Sequence, residues 1–129
     1  MFLHLFEYIS GQNEQKEKIP MTAPVLKQYN ASNSLESMCF YLPKANQLNP
    51  PQPSGIYVYL HEQSEVTLAT IRFGGFGFVS DSIKQKALLI EKLNERVANF
   101  ETSKLITAGY DSPVYPIVGR RNEVFLVQK

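Results

Sequence analysis

Two stretches decide how this chain reads: Lys18-Ile19-Pro20-Met21-Thr22-Ala23-Pro24-Val25 and Ile106-Thr107-Ala108-Gly109-Tyr110-Asp111-Ser112-Pro113-Val114. Both place a small or hydroxyl-bearing residue just before Pro-Val, and both are followed, after a gap, by a β-rich run: Cys39-Phe40-Tyr41-Leu42, then Val124-Phe125-Leu126-Val127. A phrase used twice points to a duplicated supersecondary unit. The second copy has parts the first lacks: a hairpin and a helix precede it, whereas only a short helical stretch precedes the first.

Working outward from the first copy, Phe2, Leu5, Phe6 and Ile9 share one face of a helix over 2–10, with Gly11 placed as its C-terminal cap. A strand is expected over 19–28, a turn at 30–34, and a second strand over 36–42, followed by a connector holding Pro43, Pro50, Pro51 and Pro53. Residues 56–61 (Ile-Tyr-Val-Tyr-Leu-His) and 66–73 predict an antiparallel hairpin, rich in β-branched and aromatic residues. The apolar phase slips between Val66/Leu68 and Ala69/Ile71/Phe73, which predicts a bulge. Ser80-Asp81 offers an N-cap to a helix whose inward face would be Ile83, Ala87, Ile90, Leu93, Val97 and Phe100. Strands near 104–110 and 123–128 close the chain.

Composition limits the function. At 129 residues the chain makes one domain, and a formal net charge of +1 supplies no field to gather nucleic acid. No stretch reaches the roughly 20 apolar residues that span a bilayer, and Met1–Phe6 lacks the basic start of a signal peptide. A single cysteine, Cys39, is expected as a small core residue, and one unpaired cysteine favours a reducing, cytoplasmic setting. His4 and His61 are the only histidines, and no spacing supports a zinc site. Ser112 lies in Asp-Ser-Pro-Val, which is no nucleophile elbow. The run Gly74-Gly75-Phe76-Gly77 lacks phosphate-loop spacing and is expected as a strand exit needing positive φ. No enzyme is visible. The unusual content is aromatic, with eight Phe and seven Tyr, and it suits either packing or an apolar cleft for a flat ligand. Arg120-Arg121-Asn122-Glu123 reads as a solvated turn, or else as a guanidinium fork for a carboxylate or phosphate.

Taken in order, Phe-Glu-Tyr-Ile-Ser-Gly-Gln-Asn (6–13), Lys-Ile-Pro-Met-Thr-Ala-Pro-Val (18–25), Phe-Tyr-Leu-Pro (40–43), Pro-Pro-Gln-Pro (50–53), Phe-Gly-Gly-Phe (73–76), Ala-Gly-Tyr-Asp-Ser-Pro (108–113) and Arg-Arg-Asn-Glu-Val-Phe-Leu-Val (120–127) resemble the SOUL / heme-binding protein family along essentially the whole chain. The resemblance implies an α+β fold: a distorted antiparallel β-barrel of two pseudo-repeats, each with a helix packed on the sheet. Here 1–45 would be a partial first repeat, short of its opening hairpin and half its helix, and 46–129 the second. It implies a non-enzymatic cytosolic carrier or buffer that holds heme or a porphyrin non-covalently, in an apolar groove lined by Phe2, Phe6, Met21, Tyr110 and Tyr115. Positions that carry propionate-binding bases in some members correspond to Glu7 and Tyr115, and an acid there opposes a dianionic ligand. Two other roles stay open: a protein-interaction module using the helix at 83–100, as in death-related members, and an effector-binding domain for another apolar molecule. An incomplete first repeat would also leave sheet edges exposed, favouring a homodimer.

Overall fold

The computed structural model describes residues 2–76, 78–95, 99–110 and 121–129. Their order is α1 (Phe2–Ile9), β1 (Val25–Tyr29), β2 (Leu35–Phe40), α2 (Lys44–Gln47), β3 (Leu68–Phe73), α3 (Val79–Glu95), β4 (Leu105–Gly109) and β5 (Asn122–Val127).

Local chemistry sets most of these boundaries. α1 stops as its glycine predicts: Gly11 takes φ 114°, the Gln12 amide donates to the Glu7 carbonyl at 3.0 Å, and the Gly11 amide to that of Tyr8 at 3.3 Å. The Asn13 side chain then holds the chain beyond the helix, donating to the carbonyls of Tyr8 (3.0 Å) and Glu17 (2.9 Å) and accepting the Glu17 amide (3.0 Å). The β1–β2 turn is organised by Asn30, whose Oδ1 accepts the amides of Ser32 and Ser34. Gly75 takes φ 84°, as a strand exit requires, and its carbonyl receives the buried Asn122 side-chain amide at 2.8 Å.

The strands form one sheet in the order β2-β1-β4-β5-β3, with every neighbouring pair antiparallel. The α+β antiparallel class is therefore present, but among the described residues the sheet is open and not a barrel. Its edges, β2 and β3, are four strand steps apart, about 19 Å at ordinary spacing, and five short strands do not bridge that gap. The two copies of the doubled phrase meet across the central ladder, where Val25 pairs with Gly109. They meet as unlike parts: the first leads into β1, whereas the second leaves β4.

The core lies where helix meets sheet. Tyr29, Leu105 and Val124 pack together with Ile71, Phe73 and Val79 of α3, and Leu105 and Val124 are 1% and 0% exposed. A second cluster gathers Tyr8, Ile9 and Ile19 with Phe40, Leu42, Val58 and Leu60.

Several expectations are corrected. The hairpin of 56–61 with 66–73 does not form. Only β3 is a strand, and it pairs with β5 in unbroken register, so the expected bulge is absent there; the register shift lies instead between Gln28 and Tyr29 of β1. Val58 and Leu60 turn onto the α1 cluster, and that burial replaces pairing with β3. The first strand begins at Val25, not at 19, because proline at 20 and 24 withholds ladder donors. The proline connector contains the short α2. Helix α3 starts at Val79, so Ser80 and Asp81 fall in its first turn; the Phe78 carbonyl accepts the Ser82 amide at 3.0 Å. Its inward stripe is the partly buried Val79 with the buried Ser82 and Leu89, whereas Ile83 is 37% exposed. Ser82 is the small residue that lets the helix approach the sheet, and this turns the longer Ile83 outward. Val97 of the expected face lies outside the described residues. Cys39 is exposed and not in the core, because it sits on edge strand β2 and alternates with Phe40, whose side of the strand meets α1.

One prediction concerns the α1 anchor. The Tyr8 hydroxyl donates to the Pro51 carbonyl at 2.6 Å, and burial, aided by the nearby Glu17 charge, raises its pKa above 10.0. Burial likewise raises Tyr29 and Tyr110. A folded-state pKa above the unfolded value contributes stability that is complete below the unfolded pKa and lost as pH climbs through the folded one. The urea midpoint should therefore fall as pH rises beyond about 10. Tyr8→Phe should lower neutral-pH stability by about 1 kcal/mol and make that alkaline fall shallower. An equally steep fall in the variant would show that Tyr8 contributes nothing to it.

Candidate functional site

Helix α1 is amphipathic with two different flanks beside its buried stripe of Tyr8 and Ile9. On one flank, one turn apart, Phe2 and Phe6 stack with ring centroids 6.0 Å apart and planes 16° apart. Phe2 also meets Phe40, the last residue of β2, edge-on at 5.4 Å. Phe2 and Phe6 remain 48% and 46% exposed, so the three rings make an open aromatic ledge. Sequence reasoning had Phe2 and Phe6 and missed Phe40; the signal was its place at a strand end.

The opposite flank is polar. The His4 ring stacks on Tyr57 at 4.6 Å, and its Nδ1 lies 3.9 Å from Glu7 Oε2, too far for a hydrogen bond. Beside them is a cleft of about 210 Å³ reaching Gln12, Pro53 and Gly55. Drug-sized ligands occupy roughly 300–1,000 Å³, so a large flat ligand would lie on an open surface and not inside this cleft.

Register places the remaining expected residues. Phe40, Val25, Gly109, Asn122 and Phe73 form one row across all five strands. Tyr110 follows Gly109 by one residue, which turns its side chain to the sheet face opposite Phe40. There the Arg121 guanidinium lies 4.2 Å from the Tyr110 ring centroid, and Arg72 Nε is 4.0 Å from Glu123 Oε1. Burial, then the Glu123 charge and a hydrogen bond to its carboxylate, raise the Tyr110 pKa. Arg121 thus lies over an aromatic ring, which is more than a solvated turn.

Met21 is 46% exposed on the segment entering β1, where the Thr22 hydroxyl donates to the Tyr41 carbonyl. The structure brings Phe2 and Phe6 together, leaves Met21 at the same end of the sheet, and sets Tyr110 on the other face. Tyr115 lies outside the described residues, as do Ser112 and Arg120. Among the described residues no group of three or more His, Cys, Asp or Glu side chains is arranged to hold a metal, and no helix is long and apolar enough to cross a membrane.

With this geometry in place, comparison with known proteins is direct. The model of the family described as SOUL heme-binding protein matches residues 1–127. The chain is 35% identical over 133 residues to Heme-binding protein 2 of Homo sapiens, covering 99% of this chain and 64% of that protein, and the Mus musculus protein of the same name gives the same figures. It is 32% identical over 129 residues to Heme-binding protein 1 of Sus scrofa, covering 96% of this chain and 67% of that protein. The chain thus spans a little under two-thirds of the length of the first two relatives, and it belongs to the SOUL heme-binding protein family.

Proposed function

We propose that the chain binds heme or a related tetrapyrrole non-covalently on the aromatic ledge of α1, and serves as a non-enzymatic carrier or buffer inside the cell. The observation that carries this reading is the Phe2–Phe6–Phe40 cluster, left half open in a chain whose relatives are named for heme binding. Stacked rings with exposed faces fit a planar apolar macrocycle, which hides its own surface and theirs at about 25 cal/mol per Å².

The residues present fit the macrocycle better than its iron. His4 faces Tyr57 on the other flank of α1, and His61 is exposed beside Gln63. Recognition therefore runs through the ring plane, and axial ligation is not needed. Glu7 stands beside His4 on that other flank, so that flank supplies no cation for the propionates. The interaction-module reading is less favoured: Leu89 of α3 is buried and Val79 packs on the sheet, so presenting that helix would break the core.

The test is titration of the purified chain with hemin and, separately, with metal-free protoporphyrin. Saturable spectral shifts are expected for both at micromolar protein, with affinities within about threefold of each other, since one tenfold is 1.4 kcal/mol and no iron bond contributes. No saturable shift relative to an unrelated protein would sink the reading. Binding of hemin alone would move the site to an iron ligand. A different apolar molecule in a mass spectrum of ligands extracted from the purified protein would support the effector-domain alternative.

A further inference from the structure

Residues 56–60, Ile-Tyr-Val-Tyr-Leu, have strong strand composition, yet they form no strand. Among the described residues, none of them takes part in a backbone–backbone hydrogen bond. From Tyr57 to Leu60 their side chains nonetheless alternate as in a strand. Val58 and Leu60 pack on the Tyr8–Ile9–Ile19 cluster, whereas Ile56, Tyr57 and Tyr59 are 90%, 72% and 77% exposed. This is a half-seated strand with its hydrogen-bonding groups unused, an arrangement that invites pairing with another chain.

The sequence of the segment says which chain. Ile-Tyr-Val-Tyr-Leu is nearly palindromic about Val58. Set antiparallel against itself, it places Val58 opposite Val58, Tyr57 opposite Tyr59, and Ile56 opposite Leu60. Aromatic cross-strand pairs of this kind are favourable. The flanks agree in charge: Glu62 falls opposite Ser54 and His61 opposite Gly55, so no like charges face each other. The two sheet edges are less suited, since β2 carries Glu36 and β3 carries Arg72, and charge on an edge strand guards against pairing.

We propose that residues 56–60 form a two-fold antiparallel seam with the same residues of a second copy of this chain. This does not depend on the heme reading. Each aromatic side chain hides about 150–250 Å² when fully buried. Four tyrosines, about three-quarters exposed in the single chain, contribute about 450–750 Å², well short of a standard interface, so the dimer is weak and reversible.

Sedimentation velocity from about 1 µM to about 0.1 mM tests it, a span that brackets a micromolar equilibrium. The weight-average mass should climb from 14.7 kDa towards twice that value. Tyr57→Lys with Tyr59→Lys sets lysine opposite lysine and should weaken dimerisation about tenfold or more, whereas Tyr57→Lys with Tyr59→Glu sets lysine opposite glutamate and should recover most of it. Both positions are exposed, so circular dichroism of the variants should match that of the parent. A monomer across the whole range overturns the proposal. So does a dimer that the lysine pair leaves intact, which would assign the contact to β2 or β3, or a lysine–glutamate pair that fails to restore association.

Discussion

Leu105→Ala should lower unfolding stability by about 2–5 kcal/mol, a large share of the 5–15 kcal/mol typical of a domain. Leu105 is 1% exposed and opens β4, the central strand of the sheet. It pairs in register with Tyr29 and packs with Val124 beneath α3. Alanine there trims a buried isobutyl group to a methyl, and strands on both sides prevent the gap from closing, so the cavity cost adds to the lost transfer energy. Leu48→Ala is the matched control: Leu48 is 100% exposed, and its loss should register within about 0.5 kcal/mol. Urea titrations of both variants decide the matter, and a Leu105→Ala loss below about 1 kcal/mol would move the core away from the β4 centre.

Phe2→Glu combined with Phe6→Glu should weaken hemin binding at least tenfold, a difference of about 1.4 kcal/mol or more. The change removes two apolar rings from the ledge and puts two carboxylates where a dianionic ligand would lie, so lost contact and added repulsion act together. Both side chains are nearly half exposed, so the fold should survive. Phe78→Glu makes the same chemical change on an exposed ring elsewhere that packs with Phe76, and it should leave binding within about threefold. Parallel titrations with Tyr110→Ala distinguish the sheet faces. If Tyr110→Ala abolishes binding while the double variant does not, the ligand lies on the Tyr110–Arg121 face and the ledge is not its site.

These expectations rest on features unequally legible in the chain. Several local signals agree with the structure: the stop of α1 at Gly11, the positive φ of Gly75, the Asn30 turn and the apolar runs that become β4 and β5 each follow from a residue and its near neighbours. The pairing of Phe2 with Phe6 was readable too, since residues four apart on a helix are neighbours. Phe40 and Tyr110 were not sortable in this way. Both flank strand ends, and only the register through Val25 and Gly109 shows that they face opposite sides of the sheet.

The same contrast holds for residues 56–60, whose composition was that of a paired strand. Composition records what a segment suits, whereas pairing depends on which edge is within reach. Here the α1 cluster takes Val58 and Leu60, and β5 takes β3. The face of α3 was misread for a related reason: apolar periodicity marked Ile83 and Ala87, but close approach to the sheet favoured Ser82, and a small residue leaves no mark on a hydrophobic pattern. By itself, the sequence determined the α+β class, the order of α1, β1, β2, β3, α3, β4 and β5, and the family. The tertiary structure alone decided the open sheet, the faces on which the aromatic side chains stand, and which strand-like segment is left without a partner, because these depend on contacts between residues far apart in the chain.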